Sequence, residues 1–290
     1  MNHYCNSEYR PLRSVLLSVP SPEIEKVDEP GKALYSKIID YDILKKEYDK
    51  LVKVYKKLKI KVNFINVKKI ADTDPRYKFN LMFVRDLFFM THKGAILSRM
   101  SSEIRRDEVR YAERALKNIK VPIIGSIQGE GTLEGADALW VNEKLVLLGV
   151  GNRTNTKGFL SLKKELRRQG AQCVPVPVPG GVLHLLGALQ FVDSGLALVR
   201  TELVDIKIID LLKKNRIRII AIPDNREVRA KYAMNFVTVA PKRIIMPADC
   251  PRTKRIYENS GIKIIAEIRT TQLNNGGGGI ACATGILSRG

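Results

Sequence analysis

Five short strands rich in β-branched residues recur along the chain, each after a segment with helical periodicity. The predicted strands begin at positions 60, 119, 172, 217 and 262, which are 45 to 59 residues apart. The segments that precede them are predicted to be helices and span residues 42–58, 103–118, 156–169, 203–214 and 251–259. A repeat at this interval indicates a ring of similar supersecondary units.

Pairs of strands joined by tight turns stand before most of these helices, with the turns near His92, Asn142, Asp193 and Pro241. The first unit has a single leading strand at residues 14–19, while the chain ends in an extra apolar stretch, IACATGILS. A C-terminal strand that joins the first unit would leave no free sheet edge between the first and last units. We therefore predict an α/β fold of five ββαβ modules around a pseudo-fivefold axis.

The predicted ring implies a single domain over residues 1–290, and a split into two domains near Gly151 is the alternative. Hydrophobic residues make up 44% of the chain and charged residues 28%, which is typical of a compact protein. The cysteines show neither a CxxC pair nor the spacing of a zinc site or disulfide framework, and they stand at positions 5, 173, 250 and 282. This pattern favours a reducing cytoplasm.

Charge and hydropathy bear on partners and location. No N-terminal signal and no run of 18 apolar residues is present in the sequence, so a membrane partner is not expected. The net charge of +20 would suit nucleic acid. The basic residues are nevertheless scattered over predicted helix faces, which favours a solvated surface over nucleic-acid binding.

A cysteine and a histidine are the candidate reactive groups. Cys282 follows the four glycines of GGGGIACATG, where the backbone can approach a ligand closely, although a structural cysteine would give the same local pattern. His184 lies in the apolar run GGVLHLLGALQF, which suits a core histidine as well as a general acid or base. Each residue alone leaves both interpretations open.

Three carboxylates stand at the openings of predicted hairpins in otherwise apolar sequence. Asp86 lies in FVRDLFFM, and Glu134 and Asp137 lie in LEGADALW. An internal ion pair of Asp86 with Arg85 or Arg99 is the alternative to a functional role. The predicted pseudosymmetry brings both of these segments, and the strand after Cys282, to one end of the central axis. Such a group of acids near a nucleophile suits a cationic electrophile such as a guanidinium.

Motifs in this order resemble those of the guanidino-modifying enzymes with the pentein fold, which include arginine deiminases, dimethylarginine dimethylaminohydrolases and amidinotransferases. The resemblance spans almost the whole chain. The segments that carry it are SEYRPLRSVLLSVP, NLMFVRDLFFM, LEGAD, GNRTN, VLHLL and GGGGIACATG. It implies an enzyme with a small guanidino substrate and without a metal or organic cofactor, and a homo-oligomer is compatible with it.

The resemblance also implies roles for individual residues. Cys282 would attack the guanidinium carbon to form an amidino-thioether, His184 would act as acid and then base, and Asp86 and Glu134 would hold the guanidinium nitrogens. The residues predicted to bind the substrate are Asn80, Phe83, Arg105, Asp137, Arg153 and Leu186. Among these, Asn80, Arg105 and Arg153 match positions that contact the amino-acid end of the substrate in arginine deiminases.

Two departures from the family pattern concern specificity. Ala136 replaces the second glycine of Glu-Gly-Gly-Asp and is expected to preserve the turn, whereas Leu186 stands where deiminases and amidinotransferases commonly have aspartate. The expected activity is hydrolysis at the guanidino carbon, with transfer of the amidino group to an acceptor amine or an arginine dihydrolase reaction as alternatives. A basic pentein that binds ribosomes or RNA is the non-enzymatic alternative.

Overall fold

The structure, a computed structural model, describes residues 4–66 and 79–290. The strands, in chain order, are β1 (Leu12–Leu17), β2 (Lys61–Phe64), β3 (Phe88–Met90), β4 (Ala95–Leu97), β5 (Ile123–Ser126), β6 (Ala138–Asn142), β7 (Leu145–Val150), β8 (Gln172–Pro177), β9 (Leu189–Asp193), β10 (Leu196–Val199), β11 (Arg218–Ala221), β12 (Val237–Ala240), β13 (Arg243–Pro247), β14 (Lys263–Ile268) and β15 (Gly285–Arg289). The α-helices are α1 (Tyr41–Lys57), α2 (Glu108–Asn118), α3 (Thr156–Arg167), α4 (Ile206–Lys214), α5 (Arg226–Ala230), α6 (Pro251–Asn259) and α7 (Thr271–Asn275).

These strands form five three-stranded sheets, which confirms the predicted α/β fold of five ββαβ modules. In four modules a hairpin supplies two antiparallel strands, and the third strand returns after a helix to pair in parallel with the second. The sheet β6–β7–β8 illustrates the rule, since β6 runs antiparallel to β7 and β8 runs parallel to it. All four predicted turn regions lie between the paired strands.

The first module is completed by the C-terminal strand. β15 pairs antiparallel with β1, with Val15 opposite Ile286, and β1 pairs in parallel with β2. The first sheet thus has the same strand directions as the other four, although its strands come from both ends of the sequence. Whether residues 1–290 act as one catalytic domain stays a prediction.

Burial decreases from the first strand of each module to the third. β3 and β15 are buried along their whole length, and β6 is buried except at its last residue. By contrast, β5 and β11 contain only half-buried or exposed residues. The first strands therefore lie at the centre of the ring, and the loops that lead into them are brought together there.

Two predicted helices begin later than expected. The helix predicted from residue 103 starts at Glu108, because residues Glu103–Arg105 form a separate 3-10 turn that directs Arg105 into the interior. The helix predicted from residue 203 starts at Ile206, because the Asp205 side chain accepts a hydrogen bond from the Lys207 backbone and caps the helix. Among the described residues, no helix is both long and apolar enough to cross a membrane.

Candidate active site

The chain segments that lead into β3, β9, β12 and β15 line one cavity of about 130 Å³, and the segment that leads into β6 lies directly behind it. Asp86, His184, Asn235 and Cys282 come from four of these segments, and all four line the cavity. The fifth segment contributes Glu134, which is fully buried behind His184. The pseudosymmetry predicted from the sequence thus brings together polar residues that are up to about two hundred positions apart.

Cys282 is half-buried between the glycine loop and β15. The loop can pass close to Phe83 only because Gly278 has no side chain, since a β-carbon there would lie 2.4 Å from the Phe83 ring. Burial and the Asp86 charge raise the pKa of the Cys282 thiol to about 11, although the hydrogen bond from Asn235 and the charge of Arg105 oppose this shift. The thiol form therefore dominates at neutral pH.

His184 and Glu134 form a buried pair, with 2.7 Å between His184 Nε2 and Glu134 Oε2. Burial alone would lower the pKa of His184, but the charges of Asp86, Asp137 and Glu134 outweigh it and raise the pKa to about 9. Burial would likewise raise the pKa of Glu134, but the hydrogen bond and charge of His184, with two nearby arginines, lower it to about 2. The pair is therefore an imidazolium and a carboxylate at neutral pH.

Asp86 is paired with Arg105, whose Nη1 lies 2.8 Å from Asp86 Oδ2. The alternative partners suggested by the sequence are wrong: Arg85 bonds to Glu8 instead, and Arg99 bonds to the Gly131 carbonyl. The second oxygen, Asp86 Oδ1, is 4.0 Å from His184 Nδ1 and has no hydrogen-bond partner in the described part of the chain. One carboxylate oxygen is thus available as an acceptor inside the cavity.

Arg105 lines the cavity but is almost fully buried between two carboxylates. Besides Asp86 it bonds to Glu108, with 2.9 Å from Arg105 Nε to Glu108 Oε2. Burial raises the pKa of Glu108 to about 8 despite this contact. Glu108 was not among the residues predicted from the sequence, and its position three residues after Arg105 in a helical segment was the available signal. Contact between Arg105 and a substrate stays a prediction.

Asn80, Phe83, Arg153 and Leu186 also line the cavity. The Asn80 amide donates to the Ala33 carbonyl at 2.7 Å, and Arg153 Nη1 lies 3.6 Å from Glu134 Oε1. Leu186 is buried in the short turn directly after His184. The structure therefore places these four predicted substrate-binding residues at one cavity.

Asp137, predicted to bind the substrate, is not among the residues that line the cavity. Its two oxygens accept hydrogen bonds from Thr154 Oγ1 at 2.7 Å and from the Leu185 backbone at 3.0 Å. Burial raises the pKa of Asp137 to about 6. In this arrangement Asp137 fixes the turn that carries His184, because its carboxylate is already occupied by protein donors.

Gly135 explains how the Glu134 segment reaches the site. A β-carbon at Gly135 would lie 2.3 Å from the Phe88 carbonyl oxygen and 2.5 Å from that of Arg85. Only glycine permits this contact between the second and third sheets, which brings Glu134 close to Asp86. Ala136, the departure from the family motif, is fully buried and lies within the same short turn.

The ligand atoms of Asp86, Glu134 and His184 lie within 4.8 Å of one another, so this group has the composition of a metal-binding cluster. The two carboxylates, however, already face cationic protein groups. Arg105 contacts Asp86, and Arg153 Nη1 is 3.6 Å from Glu134. These positive charges oppose the binding of a divalent cation at the same oxygens.

Comparisons with known proteins agree with this architecture. A family model described as arginine deiminase matches residues 74–206 and 199–289. Dimethylarginine dimethylaminohydrolase from Pseudomonas aeruginosa is 28% identical over 201 residues, which cover 69% of this chain and 74% of that protein. Arginine deiminase from Borrelia duttonii is 25% identical over 252 residues, and the match covers 72% of this chain but only 61% of that protein.

Solved structures with the same fold include the Pseudomonas aeruginosa dimethylarginine dimethylaminohydrolase complexed with citrulline. It aligns with a TM-score of 0.77 at 21% identity, over 94% of this chain and 98% of that chain. An amidinotransferase from Microseira wollei aligns with a TM-score of 0.78 at 17% identity, over 100% of this chain and 98% of that chain. At these identities the likeness establishes the fold alone.

Proposed function

The chain belongs to the arginine deiminase family, and from this premise we propose that it hydrolyses a C–N bond at the guanidino carbon of arginine or a substituted arginine. The observation that carries the proposal is the meeting of Cys282, the His184–Glu134 pair and Asp86 around one cavity. This group supplies a nucleophile, a proton donor and an acceptor for a cationic substrate.

The reaction begins when the Cys282 thiol releases its proton to solvent, since His184 is already protonated, and the resulting thiolate attacks the guanidinium carbon. A bound guanidinium favours the thiolate because opposite charges attract in a cavity with little water. The imidazolium of His184 then gives its proton to the departing amine or ammonia, which leaves an amidino-thioether on Cys282. Neutral His184 next accepts a proton from water as the water attacks this adduct. A ureido product leaves, and the cysteine is regenerated.

Asp86 is proposed to hold the guanidinium nitrogens through Oδ1, the oxygen without a protein partner. Glu134 is proposed to act through His184, because it contacts the imidazole and does not line the cavity. The raised pKa of His184, about 9, keeps the ring protonated at neutral pH and therefore suits it to donate a proton first. The sequence-based prediction that Glu134 touches the substrate is thus replaced by an indirect role.

Replacing Arg153 with alanine is expected to raise KM about tenfold for substrates that carry an α-carboxylate, while decarboxylated analogues such as agmatine change little. A charge-assisted hydrogen bond to the substrate tail would stabilise ground and transition states alike. Steady-state kinetics with arginine and agmatine measure the difference, and Arg153→Lys is the charge-preserving control. An equal rise in KM for both substrates would mean that Arg153 acts through Glu134, whose Oε1 lies 3.6 Å from Arg153 Nη1.

Leu186 leads us to propose an alkylated guanidine as the preferred substrate. It lines the cavity where an aspartate is common in the family, so one carboxylate acceptor is replaced by apolar surface. A guanidinium has five donors, and each one buried without an acceptor costs about 1 to 3 kcal/mol. An N-alkyl group removes donors and can rest against leucine, which contributes about 0.8 kcal/mol per buried methylene-sized group.

Leu186→Asp is expected to shift the ratio of kcat/KM values toward arginine, relative to dimethylarginine, by about tenfold or more. Both substrates are measured on both proteins. Leu186→Asn, which has a similar shape without the charge, is the matched control, and thermal unfolding checks that the buried substitution is tolerated. An unchanged ratio in the aspartate variant, or wild-type turnover of arginine as efficient as that of every alkylated analogue, would rule out Leu186 as a substrate contact.

Amidinotransfer and dihydrolysis share the first covalent step with hydrolysis, so the products distinguish them. Arginine, dimethylarginine and other guanidines are incubated with and without glycine or ornithine as acceptors. Mass spectrometry with assays for ammonia, amine and urea then identifies the products. Ureido products independent of the acceptor support the proposal, whereas amidinated acceptor or ornithine formation would replace it. RNA binding that is salt-dependent and survives Cys282→Ala would support the non-enzymatic alternative.

The proposed partner is therefore a small guanidino compound. A cytoplasmic location and a homo-oligomeric state remain predictions, which fractionation and light scattering test. The basic residues are scattered along the sequence, which favours a solvated surface over nucleic-acid binding. Within the cavity we assign the attraction for a guanidinium to Asp86 Oδ1, which has no protein partner among the described residues, despite the net charge of +20.

A further inference from the structure

Asn235 contacts the reactive sulfur from the fifth module, two residues before β12. Its Nδ2 lies 3.0 Å from Cys282 Sγ, while its Oδ1 accepts hydrogen bonds from the backbone of Ala281 at 2.8 Å and of Cys282 at 3.3 Å. A backbone N–H can only donate, so the amide oxygen must face the loop and the nitrogen must face the sulfur. The orientation of the amide is therefore fixed by its surroundings.

The Asn235 side chain is itself held firmly. It is buried, and its backbone N–H donates to the Tyr232 carbonyl at 2.7 Å. Gly279 allows the glycine loop to approach it, because a β-carbon at that position would lie 2.7 Å from Asn235 Oδ1. The donor that faces the sulfur is thus positioned in advance by contacts on both sides.

We propose that Asn235 is a catalytic residue that stabilises the Cys282 thiolate through its Nδ2–H while its Oδ1 holds the loop that carries the cysteine. The assignment rests on the proposed function, since it makes Cys282 the nucleophile. An amide N–H bonds more strongly to an anionic sulfur than to a neutral thiol, so the contact favours the reactive form. It does so without adding a charge that would repel a cationic substrate.

Several charged or titratable groups face the same sulfur. Asp86 disfavours the thiolate and Arg105 favours it. His184 and Tyr232 also line the cavity, and the Cys282 charge raises the pKa of Tyr232 in addition to burial. Because Arg105 is already engaged by Asp86 and Glu108, Asn235 is the neutral side chain that donates directly to the sulfur, and the Gly279 backbone is a second neutral donor. Without Asn235, fewer groups would offset the destabilising effect of the Asp86 charge on the thiolate.

The Asn235→Asp variant separates donation to the sulfur from the second function of Asn235, which is to hold the backbone of the cysteine loop. The aspartate keeps an oxygen for the two backbone donors but places a second oxygen, which accepts rather than donates, against the sulfur. Asn235→Ala removes both functions. The readout is the rate of Cys282 alkylation by iodoacetamide at several pH values, followed by mass spectrometry of the peptide that contains Cys282. This measurement needs no turnover, so it is independent of whether the proposed hydrolysis is correct.

Alkylation is expected to slow about three- to tenfold in Asn235→Ala at each pH between 7 and 9.5, and about tenfold or more in Asn235→Asp. Losing one hydrogen bond to a charged group lowers the thiolate fraction by about 10- to 100-fold, and the greater nucleophilicity of a more basic thiolate offsets about half of this on a logarithmic scale. The slowing should disappear at a pH high enough to ionise the thiol fully.

Asn142→Asp is the matched control for the added charge. Asn142 lies at the far end of β6, and its side-chain oxygen accepts from the Lys144 backbone, a bond that aspartate preserves. Thermal unfolding reports on the fold of each variant, and Asn235→Asp keeps the test valid if Asn235→Ala fails to fold. Wild-type alkylation rates in Asn235→Asp across this pH range would overturn the proposal and leave Asn235 as a loop anchor.

Discussion

Replacing Cys282 with serine is expected to lower kcat/KM by at least about 10³-fold while leaving the fold unchanged. A thiolate is far more nucleophilic than a hydroxyl near neutral pH, and the loss of a nucleophile commonly removes most of an enzyme's rate enhancement. The serine side chain is smaller than that of cysteine, and Asn235 can donate to its oxygen as it does to the sulfur. The chemical step should therefore slow while the fold stays intact. Steady-state kinetics should show the loss of activity, and thermal unfolding should be unaltered.

The matched control is Cys173→Ser. Cys173 lies in β8 and packs in a buried apolar cluster away from the cavity, so its replacement tests the effect of a thiol-to-hydroxyl change without touching the site. Intact-protein mass spectrometry of rapidly quenched reactions should detect an amidino adduct on the wild type and on Cys173→Ser only. A serine variant of Cys282 with wild-type turnover would rule out the covalent mechanism.

The fold was largely predictable because its repeat is visible in the sequence. Strands at positions 172 and 262 were expected, and β8 and β14 begin at Gln172 and Lys263. Closure by the C-terminal strand followed from the missing hairpin strand of the first unit. Helix starts were less predictable where an inward-facing arginine or a capping aspartate set the boundary, as at Arg105 and Asp205. These depend on contacts that hydrophobic periodicity does not encode.

The positions of the candidate site residues were predicted more accurately than their contacts. Pseudosymmetry indicated that Asp86 and Cys282 would meet, and both line one cavity together with His184. It applied equally to the segment AMNFVTV, which opens the fourth hairpin, so Asn235 could have been found by the same reasoning. Asn235 was not among the predicted residues, because a neutral amide in an apolar segment lacks the charge that singled out the three carboxylates.

Partners of buried charges could not be derived from the repeat. Arg105 was expected to face the substrate, and this stays a prediction, but its pairing with Asp86 and Glu108 was not foreseen. Asp137 was expected in the cavity, yet protein donors occupy both its oxygens. Each outcome depends on side-chain directions and on competition among several donors and acceptors within a few ångströms, which the order of residues along the chain does not determine.

His184→Ala is expected to lower kcat by at least about 10²-fold, the usual scale of general acid–base catalysis. Leaving-group protonation and water activation are both assigned to this ring, and the structure offers no second histidine among the residues that line the cavity. Because the amine leaves as the adduct forms, adduct formation should slow as well as its hydrolysis. A rate equal to that of the wild type would return His184 to a purely structural role in the core.

His184→Gln is the matched variant, because its amide can still donate a hydrogen bond to Glu134 but cannot transfer a proton at useful rates. It should lose about as much activity as His184→Ala. The difference in the free energy of unfolding between this variant and the wild type should also depend on pH. The pKa of His184 rises from an ordinary 6.5 to about 9 on folding, so the protonated ring stabilises the native state fully below pH 6.5.

That stabilisation, about 3 kcal/mol at most, is lost as pH rises through 9. The glutamine variant should therefore be less stable than the wild type at pH 6, and the gap in the free energy of unfolding should shrink between pH 6.5 and 9. Chemical denaturation of both proteins at pH 6, 7.5 and 9 measures this gap. A gap independent of pH would mean that the pKa of His184 does not rise on folding, so that the ring would be largely neutral at pH 7.5 and the proton for the leaving amine would have to come from another group.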